Sequence, residues 1–272
     1  MASVKPKKAL GQHFLTSEDI ARRIADTISD VELPAGKQEW GSMPILEVGP
    51  GTGMLTRYLA ATGRELECVE IDDESYAYLK ASMPELNVVR ADFLGMNLAE
   101  EFGGRQFALI GNYPYNISSQ IFFKLLESRE QIPVCAGMLQ REVAQRICAE
   151  PGSRTRGILS VLLQLWYDCE YLFTVAEGHF NPPPKVKSGV IRLTRNGRTS
   201  LPVDEKLLKT VVKTTFGQRR KQLRNSLSSL VPKGAPLLQT EMMRLRPEQL
   251  SVDDYIRLTA LVADARKLPA ED

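Results

Sequence analysis

The sequence predicts an α/β fold, an open and mostly parallel sheet of seven strands covered by helices, followed by a small all-helical domain. Three observations predict it. Short apolar runs alternate with helical patterns about five times between Ile45 and Gln140. Two further β-like runs then close one edge of the sheet, and beyond Gly197 the apolar spacing is wholly helical.

In chain order, a basic arm with Lys5, Lys7 and Lys8 comes first. Thr16-Ser17-Glu18-Asp19 then forms a helix-start signature with a carboxylate three residues after Thr16, and Ile20, Ile24 and Ile28 recur at helical spacing. Pro34, Gly36 and Gly41 mark a loop. Strands are predicted at Ile45 to Val48, Leu66 to Ile71, Asn87 to Arg90, Phe107 to Ile110 and Val134 to Leu139, with helices beginning near Gly53, Asp73, Ser118 and Gln140. A helical pattern at Ile158 to Trp166 precedes the last two strands, Tyr171 to Val175 and Gly189 to Leu193, which Pro182-Pro183-Pro184 separates. Next, one amphipathic helix is expected to bury Leu223, Leu227 and Leu230 while turning Arg219, Arg220, Lys221 and Arg224 outward, and a final helix runs from Asp253 to Lys267. The expected division is an α/β domain over 1–197 and a small helical domain over 198–272.

At 272 residues, 43% apolar and 25% charged, the chain is long enough for one full core and a small second domain. No stretch approaches the roughly 20 apolar residues of a membrane span. The expectation is a soluble cytoplasmic protein without membrane contact, and a monomer. Cys68, Cys135, Cys148 and Cys169, with His13 and His179, show no metal-ligand spacing, so no metal is expected and the cysteines read as core residues.

Net charge is +2, but it divides unevenly. Residues 1–196 carry 21 basic and 24 acidic side chains, residues 197–272 carry 14 and 9, and between Phe180 and Ser228 twelve Lys and Arg face only Asp204 and Glu205. A polyanionic partner and an ordinary solvated basic surface both account for this run. Under the first reading, Lys185, Lys187, Arg219, Arg220, Lys221 and Arg224 are the candidate RNA contacts.

The strand Ile45 to Val48 runs directly into Gly49-Pro50-Gly51-Thr52-Gly53. Glycines at this spacing let a ligand approach backbone closely at the carboxyl end of a strand. The spacing is G-x-G-x-G, not the dinucleotide G-x-G-x-x-G, and Glu47 stands two residues before the first glycine. That carboxylate suits a cofactor with a cationic amine and sulfonium better than a pyrophosphate, so S-adenosylmethionine is expected. Glu70, at the end of the next strand beside Ile71, can accept both hydroxyls of a ribose. Asp92 after the third strand can accept the adenine amine, and Phe93 can pack on the ring.

After the fourth strand comes Asn112-Tyr113-Pro114-Tyr115. An exocyclic base amine is a weak nucleophile because its lone pair is delocalised into the ring. Two acceptors aimed at its hydrogens, the Asn112 side-chain oxygen and the Pro114 carbonyl, favour pyramidal geometry and free that pair. Tyr115 offers a face for base stacking. An amine conjugated with a ring or with a carbonyl would satisfy this motif, so free glutamine-type amides stay open, while the basic segment favours nucleic acid.

With these residues in hand, the chain resembles the small-subunit ribosomal RNA adenine dimethyltransferase (KsgA/RsmA) family. The resemblance runs through Gly11 to Leu15, Glu47 to Thr56, Asn112 to Ser119, Gln140 to Val143, Phe180 to Ser188, Gln218 to Lys221 and Arg224 to Leu227. It implies a Rossmann-like sheet dependent on S-adenosylmethionine and dimethylation of two adjacent adenosines near the 3′ end of 16S rRNA in the small ribosomal subunit during its assembly. It also implies that His13, Leu15, Gly49, Gly51, Glu70, Asp92 and Asn112 line the cofactor and that Phe180 sandwiches the target base against Tyr115. His13 stands where the family usually has asparagine, and Tyr113 where leucine is usual. A 23S rRNA adenine methyltransferase would share the cofactor loop, but Phe180-Asn181-Pro182-Pro183-Pro184-Lys185-Val186 favours the small-subunit enzyme. A non-catalytic RNA-binding relative would be expected to lose Asn112, Pro114 or Tyr115, and all three are present.

Overall fold

The structure, a computed structural model, describes residues 4–29, 31 and 40–267. Backbone contacts divide the chain into two compact units, one built from residues up to Gln145 with Tyr167–Gly197, the other from Arg146–Trp166 with the chain from Arg198 onward. The segment 146–166, which sequence grouping leaves with residues 1–197, thus clusters with the C-terminal helices.

Among the described residues of the first unit nine strands form: β1 (Phe14–Leu15), β2 (Ile45–Val48), β3 (Leu66–Glu70), β4 (Asn87–Arg90), β5 (Ala108–Asn112), β6 (Val134–Gln140), β7 (Tyr167–Val175), β8 (Phe180–Asn181) and β9 (Ser188–Arg195). Seven of them make one sheet in the order β4-β3-β2-β5-β6-β9-β7. The first five are parallel to their neighbours, and β9 pairs antiparallel with both β6 and β7. Every residue of β2 is buried, as expected for a central parallel strand covered on both faces. The remaining pair, β1 with β8, forms a separate two-stranded antiparallel ribbon that no periodicity foreshadows.

The helices of this unit are α1 (Glu18–Asp26), α2 (Thr56–Ala60), α3 (Asp73–Ser82), α4 (Leu98–Glu101) and α5 (Ser118–Glu127), with α6 (Arg141–Ile147) beginning in it and ending past Gln145, where its first segment stops. Helix α1 buries Ile20 and Ile24, which with Ile28 pack into one core with Leu55, Leu59, Ile45, Ile110 and Met138. Its N-cap is Ser17, whose hydroxyl accepts from the Ile20 N–H, not Thr16. Thr16 is diverted because its backbone and hydroxyl both bond the His179 carbonyl. Helix α2 begins at Thr56, later than Gly53, because glycines 49, 51 and 53 all adopt positive φ and hold the chain in a turn.

The second unit comprises α7 (Ile158–Gln164), α8 (Glu205–Gly217), α9 (Leu223–Ser226) and α10 (Val252–Ala265), joined by short 3₁₀ turns. Asp204 caps α8 at the Leu207 N–H, and Ser251 with Asp254 forms a capping box on α10. The single amphipathic helix expected through Arg219 to Leu230 is instead broken. Helix α8 ends at Gly217, residues 218–221 turn, and the Leu223 N–H bonds the Leu245 carbonyl at 2.9 Å. Leu223 and Leu227 are fully buried as expected, whereas Arg219, Arg220 and Lys221 sit in the turn.

Candidate active site

The order in which strands are added reverses at β2. From β2 the chain moves outward to β3 and β4, then returns to place β5 on the other side, so the carboxyl ends of β2 and β5 open a crevice at the topological switch point. Register sets Glu47 beside Ile110, which brings the glycine loop after β2 and Asn112 at the end of β5 to neighbouring strand tips. One cleft of about 170 Å³ lies there, and His13, Gly49, Gly51, Glu70, Ile71, Asp92, Phe93, Asn112, Pro114 and Tyr115 all line it. Ten of the residues singled out from sequence therefore meet at one place.

On the β3 side, Glu70 is only 3% exposed. Its carboxylate accepts from the Gly51 N–H at 3.0 Å and from the Asp72 N–H at 2.9 Å, one bond to each oxygen. Burial pushes its pKa up, against the pull of those backbone donors. Each oxygen keeps a further lone pair for a ligand hydroxyl. Asp72 caps α3 through Ser75 and forms an ion pair with Lys7 of the basic arm, whose ammonium also reaches Glu74 at 3.3 Å. Burial works to raise the Asp72 carboxyl, but Lys7 and Ser75 together hold it below its ordinary value. At the tip of β4, one Asp92 oxygen accepts from the Leu94 N–H at 3.0 Å and the carboxylate is exposed to the cleft mouth. Ile71, 52% exposed, and Phe93 supply apolar wall.

On the β5 side, Asn112 Nδ2 donates to the His13 carbonyl at 2.9 Å, which leaves Oδ1 as the acceptor end of the amide. Tyr113 points into the core: its hydroxyl donates to the Ala136 carbonyl at 2.8 Å. A Cβ on Gly137 would fall 2.7 Å from its ring and one on Gly111 3.2 Å, so two glycines clear the space that this tyrosine fills. Tyr115 hydrogen-bonds Ser188, and the His13 ring lies 5.3 Å from the Tyr115 ring at a 33° tilt.

Sequence reasoning understates the arm. Phe14 pairs with Asn181 and Leu15 with Phe180, His13 Nδ1 donates to the Pro182 carbonyl at 2.8 Å, and the Phe14 ring lies 2.9 Å from where a Gly51 Cβ would stand. A two-residue strand carries no periodic signal, so only the resemblance pointed there. Leu15 and Phe180 do not line the cleft, because their β1–β8 pairing turns both into the core at 5% and 4% exposure. Glu47 is also outside it. Buried under the glycine loop, it accepts from the Cys68 thiol at 3.6 Å and lies beside Thr56, and burial pushes its pKa up to about 7. Lys185 and Lys187 are exposed between β8 and β9, and Arg220, Lys221 and Arg224 are exposed in the second unit. Arg219 is held by the Arg154 carbonyl.

The donor set fits S-adenosylmethionine. Glu70 and Asp92 offer carboxylate acceptors of the kind that hydroxyls and an amine need, Ile71 and Phe93 offer apolar wall of the kind that suits a ring, and among the described lining residues there is no Lys or Arg to meet a pyrophosphate. Among the described residues, no group of three His, Cys, Asp or Glu is placed to hold a metal ion, and no helix is long and apolar enough to cross a membrane.

Comparison with known proteins agrees with this geometry. The family model described as ribosomal RNA adenine dimethylase matches residues 3–264. Ribosomal RNA small subunit methyltransferase A of Porphyromonas gingivalis is 58% identical over 265 residues, covering 96% of this chain and 99% of its own length. Its namesake from Bacteroides thetaiotaomicron is 55% identical over 269 residues, covering 98% and 97%. Among solved structures, a dimethyladenosine transferase from Plasmodium falciparum shares the fold with a TM-score of 0.74 at 23% identity, covering 90% of this chain and 96% of that one. The 23S rRNA methyltransferase ErmE gives 0.65 at 27% identity, covering 92% and 99%. A family match over nearly the whole chain, joined to more than half identity with these relatives, means that this chain belongs to the ribosomal RNA adenine dimethylase family.

Proposed function

We propose that this chain dimethylates the N6 amines of two adjacent adenosines near the 3′ end of 16S rRNA, in the small ribosomal subunit or its precursor, as a cytoplasmic monomer with a part in subunit biogenesis. Dimethylation of adenine in ribosomal RNA is the activity of the family, and the small-subunit target follows the name of its relatives. The observation that carries the chemistry is the meeting of Asn112, Pro114 and Tyr115 with the glycine loop in one cleft at the switch point.

When bound, S-adenosylmethionine supplies a methyl group on a cationic sulfur. Gly49 and Gly51 offer close backbone approach, Glu70 takes the ribose hydroxyls, Asp92 the adenine amine, and Ile71 and Phe93 flank its ring. Glu47 acts from beneath, shaping the loop and adding negative potential. For the target base, Asn112 Oδ1 and the Pro114 carbonyl accept the amine hydrogens and free the nitrogen lone pair, while Tyr115 presents its ring. The resemblance assigns Phe180 the opposite wall; since its ring is buried, stacking there requires the β1–β8 ribbon to shift. Charge stabilisation and alignment carry the rate, and the released proton passes to solvent. The base must be unstacked to enter. Lys185, Lys187, Arg219, Arg220, Lys221 and Arg224 contact phosphates and set binding strength, not base identity.

Incubating the protein and labelled cofactor with undermethylated small subunits, naked 16S rRNA and large-subunit RNA, then mapping the modified base, tests this reading. Label at two adjacent adenosines of small-subunit RNA is the expected result. Label only in large-subunit RNA would overturn it.

A further inference from the structure

The loop after β4 supplies four neighbouring cleft residues, Ala91, Asp92, Phe93 and Leu94, yet its one regular element is a single 3₁₀ turn, Phe93–Gly95. A turn this short holds itself weakly: its internal bonds are Gly95 N–H to the Asp92 carbonyl at 3.0 Å and Met96 N–H to the Phe93 carbonyl at 3.3 Å. The carbonyls at its end have no partner within the turn and need one from outside. Lys124, in the second half of α5, provides it. Its Nζ donates to the Leu94 carbonyl at 3.0 Å and to the Met96 carbonyl at 2.6 Å, and stands 5.6 Å from the centre of the Phe93 ring. An ammonium is suited to this task, since it carries three donors and a compact charge attracted by a ring face.

The consequence is geometric. Both carbonyls are drawn towards α5, while the Leu94 N–H at the start of the same turn holds Asp92 by one carboxylate oxygen. Phe93, 4% exposed, is held between that cation and the cleft it lines. Helix α5 itself begins just after Asn116 and Ile117, which line the cleft from the β5 side. One lysine thereby ties the Asp92–Leu94 wall to the helix that follows the amine-reading motif.

We infer that Lys124 is a positioning residue for the adenosine part of the cofactor, fixing the turn that presents Asp92 and Phe93 without itself lining the cleft. This rests on the assignment of the cleft to S-adenosylmethionine.

Titration calorimetry on the full chain, with S-adenosylhomocysteine and with 5′-methylthioadenosine, tests it. In Lys124→Met the stem is kept and the ammonium removed. Both ligands should then bind about tenfold more weakly, by the same factor, because the lost order lies at the adenine they share. Turnover at saturating cofactor should stay within twofold of the parent, so that the loss falls on KM. Lys124→Gln keeps two N–H donors without the charge and should fall between parent and Met variant, and Lys124→Arg should restore most of the affinity. Unchanged affinity in Lys124→Met and Lys124→Gln would overturn the inference, as would weakened S-adenosylhomocysteine binding with intact methylthioadenosine binding. Failure of the parent chain to bind either ligand is a different result, and would overturn the cofactor assignment together with the inference built on it.

Discussion

The side-chain amide of Asn112 donates to the backbone carbonyl of His13 at 2.9 Å, so the N-terminal arm decides which end of that amide is left to accept from a substrate. Removing the amide removes an aligned acceptor without touching Glu70 or Asp92. Asn112→Ala is therefore expected to bind S-adenosylhomocysteine near normally and lose methyl transfer by a factor on the order of a hundred or more. Single-turnover rates beside calorimetric affinities measure both; near-normal turnover would remove Asn112 from its proposed role. Asn112→Asp should be as slow, since a carboxylate cannot donate to His13.

The sequence-predicted residues that the structure brings to the cleft share a physical reason. Glu70 and Asn112 are the last residues of β3 and β5 and Asp92 lies two residues beyond β4, all at the carboxyl ends of parallel strands, where an open sheet of this kind has its crevice. The resemblance singles out Leu15 and Phe180 but not as a pair, because β1 and β8 are too short for any alternation to register. Around Arg219 the helical spacing of leucines was real, yet Gly217 weakens the helix and the Leu245 carbonyl captures the Leu223 N–H that continuation would need. Lys124 carries no sequence signal at all: its partners are main-chain carbonyls 28 and 30 residues away.

Gly51 and Gly49 separate two costs. At Gly51, φ is +57° and an added Cβ would stand 2.9 Å from the Phe14 ring, so Gly51→Ala must displace the arm. At Gly49, φ is +67° but the nearest atoms, in Pro114, are 3.8 Å away, an ordinary contact. Both variants should lose about 1–2 kcal/mol of stability from the left-handed backbone. Both glycines line the cleft, so both variants should weaken S-adenosylhomocysteine binding, but Gly51→Ala should weaken it about tenfold more than Gly49→Ala, through the arm. Equal affinities for the two variants would show that Phe14 does not couple the arm to the loop.

Arg220, Lys221 and Arg224 are exposed and so available to phosphates. Reversing Arg220 and Lys221 to glutamate should weaken small-subunit binding and flatten its dependence on salt, because fewer counterions are released. Cofactor affinity should not change. Filter binding at several ionic strengths reads the slope, and an unaltered slope would place the RNA contact elsewhere.

Glu47 links the glycine loop to pH. Burial raises its carboxyl to about 7 in the folded protein from 4.5, its ordinary value. Below pH 4.5 the group is protonated in both states and costs nothing extra. As pH rises from 4.5 to 7 the unfolded chain loses this proton before the folded one does, so folding stability falls across that window, and above pH 7 the full cost is present. A shift of this size corresponds to something on the order of 3 kcal/mol. Glu67, which burial first and then Glu101 and Glu65 raise to about 7, adds a slope of the same sign, so the parent alone cannot assign it. Glu47→Gln isolates the effect: it keeps an amide-sized group beside Thr56 and Cys68 but has nothing to ionise. Denaturant unfolding at pH 5 and pH 8 should show a smaller loss of stability in the variant than in the parent. Identical losses would mean that Glu47 is already ionised where it stands, held by Thr56 and Cys68 despite its burial.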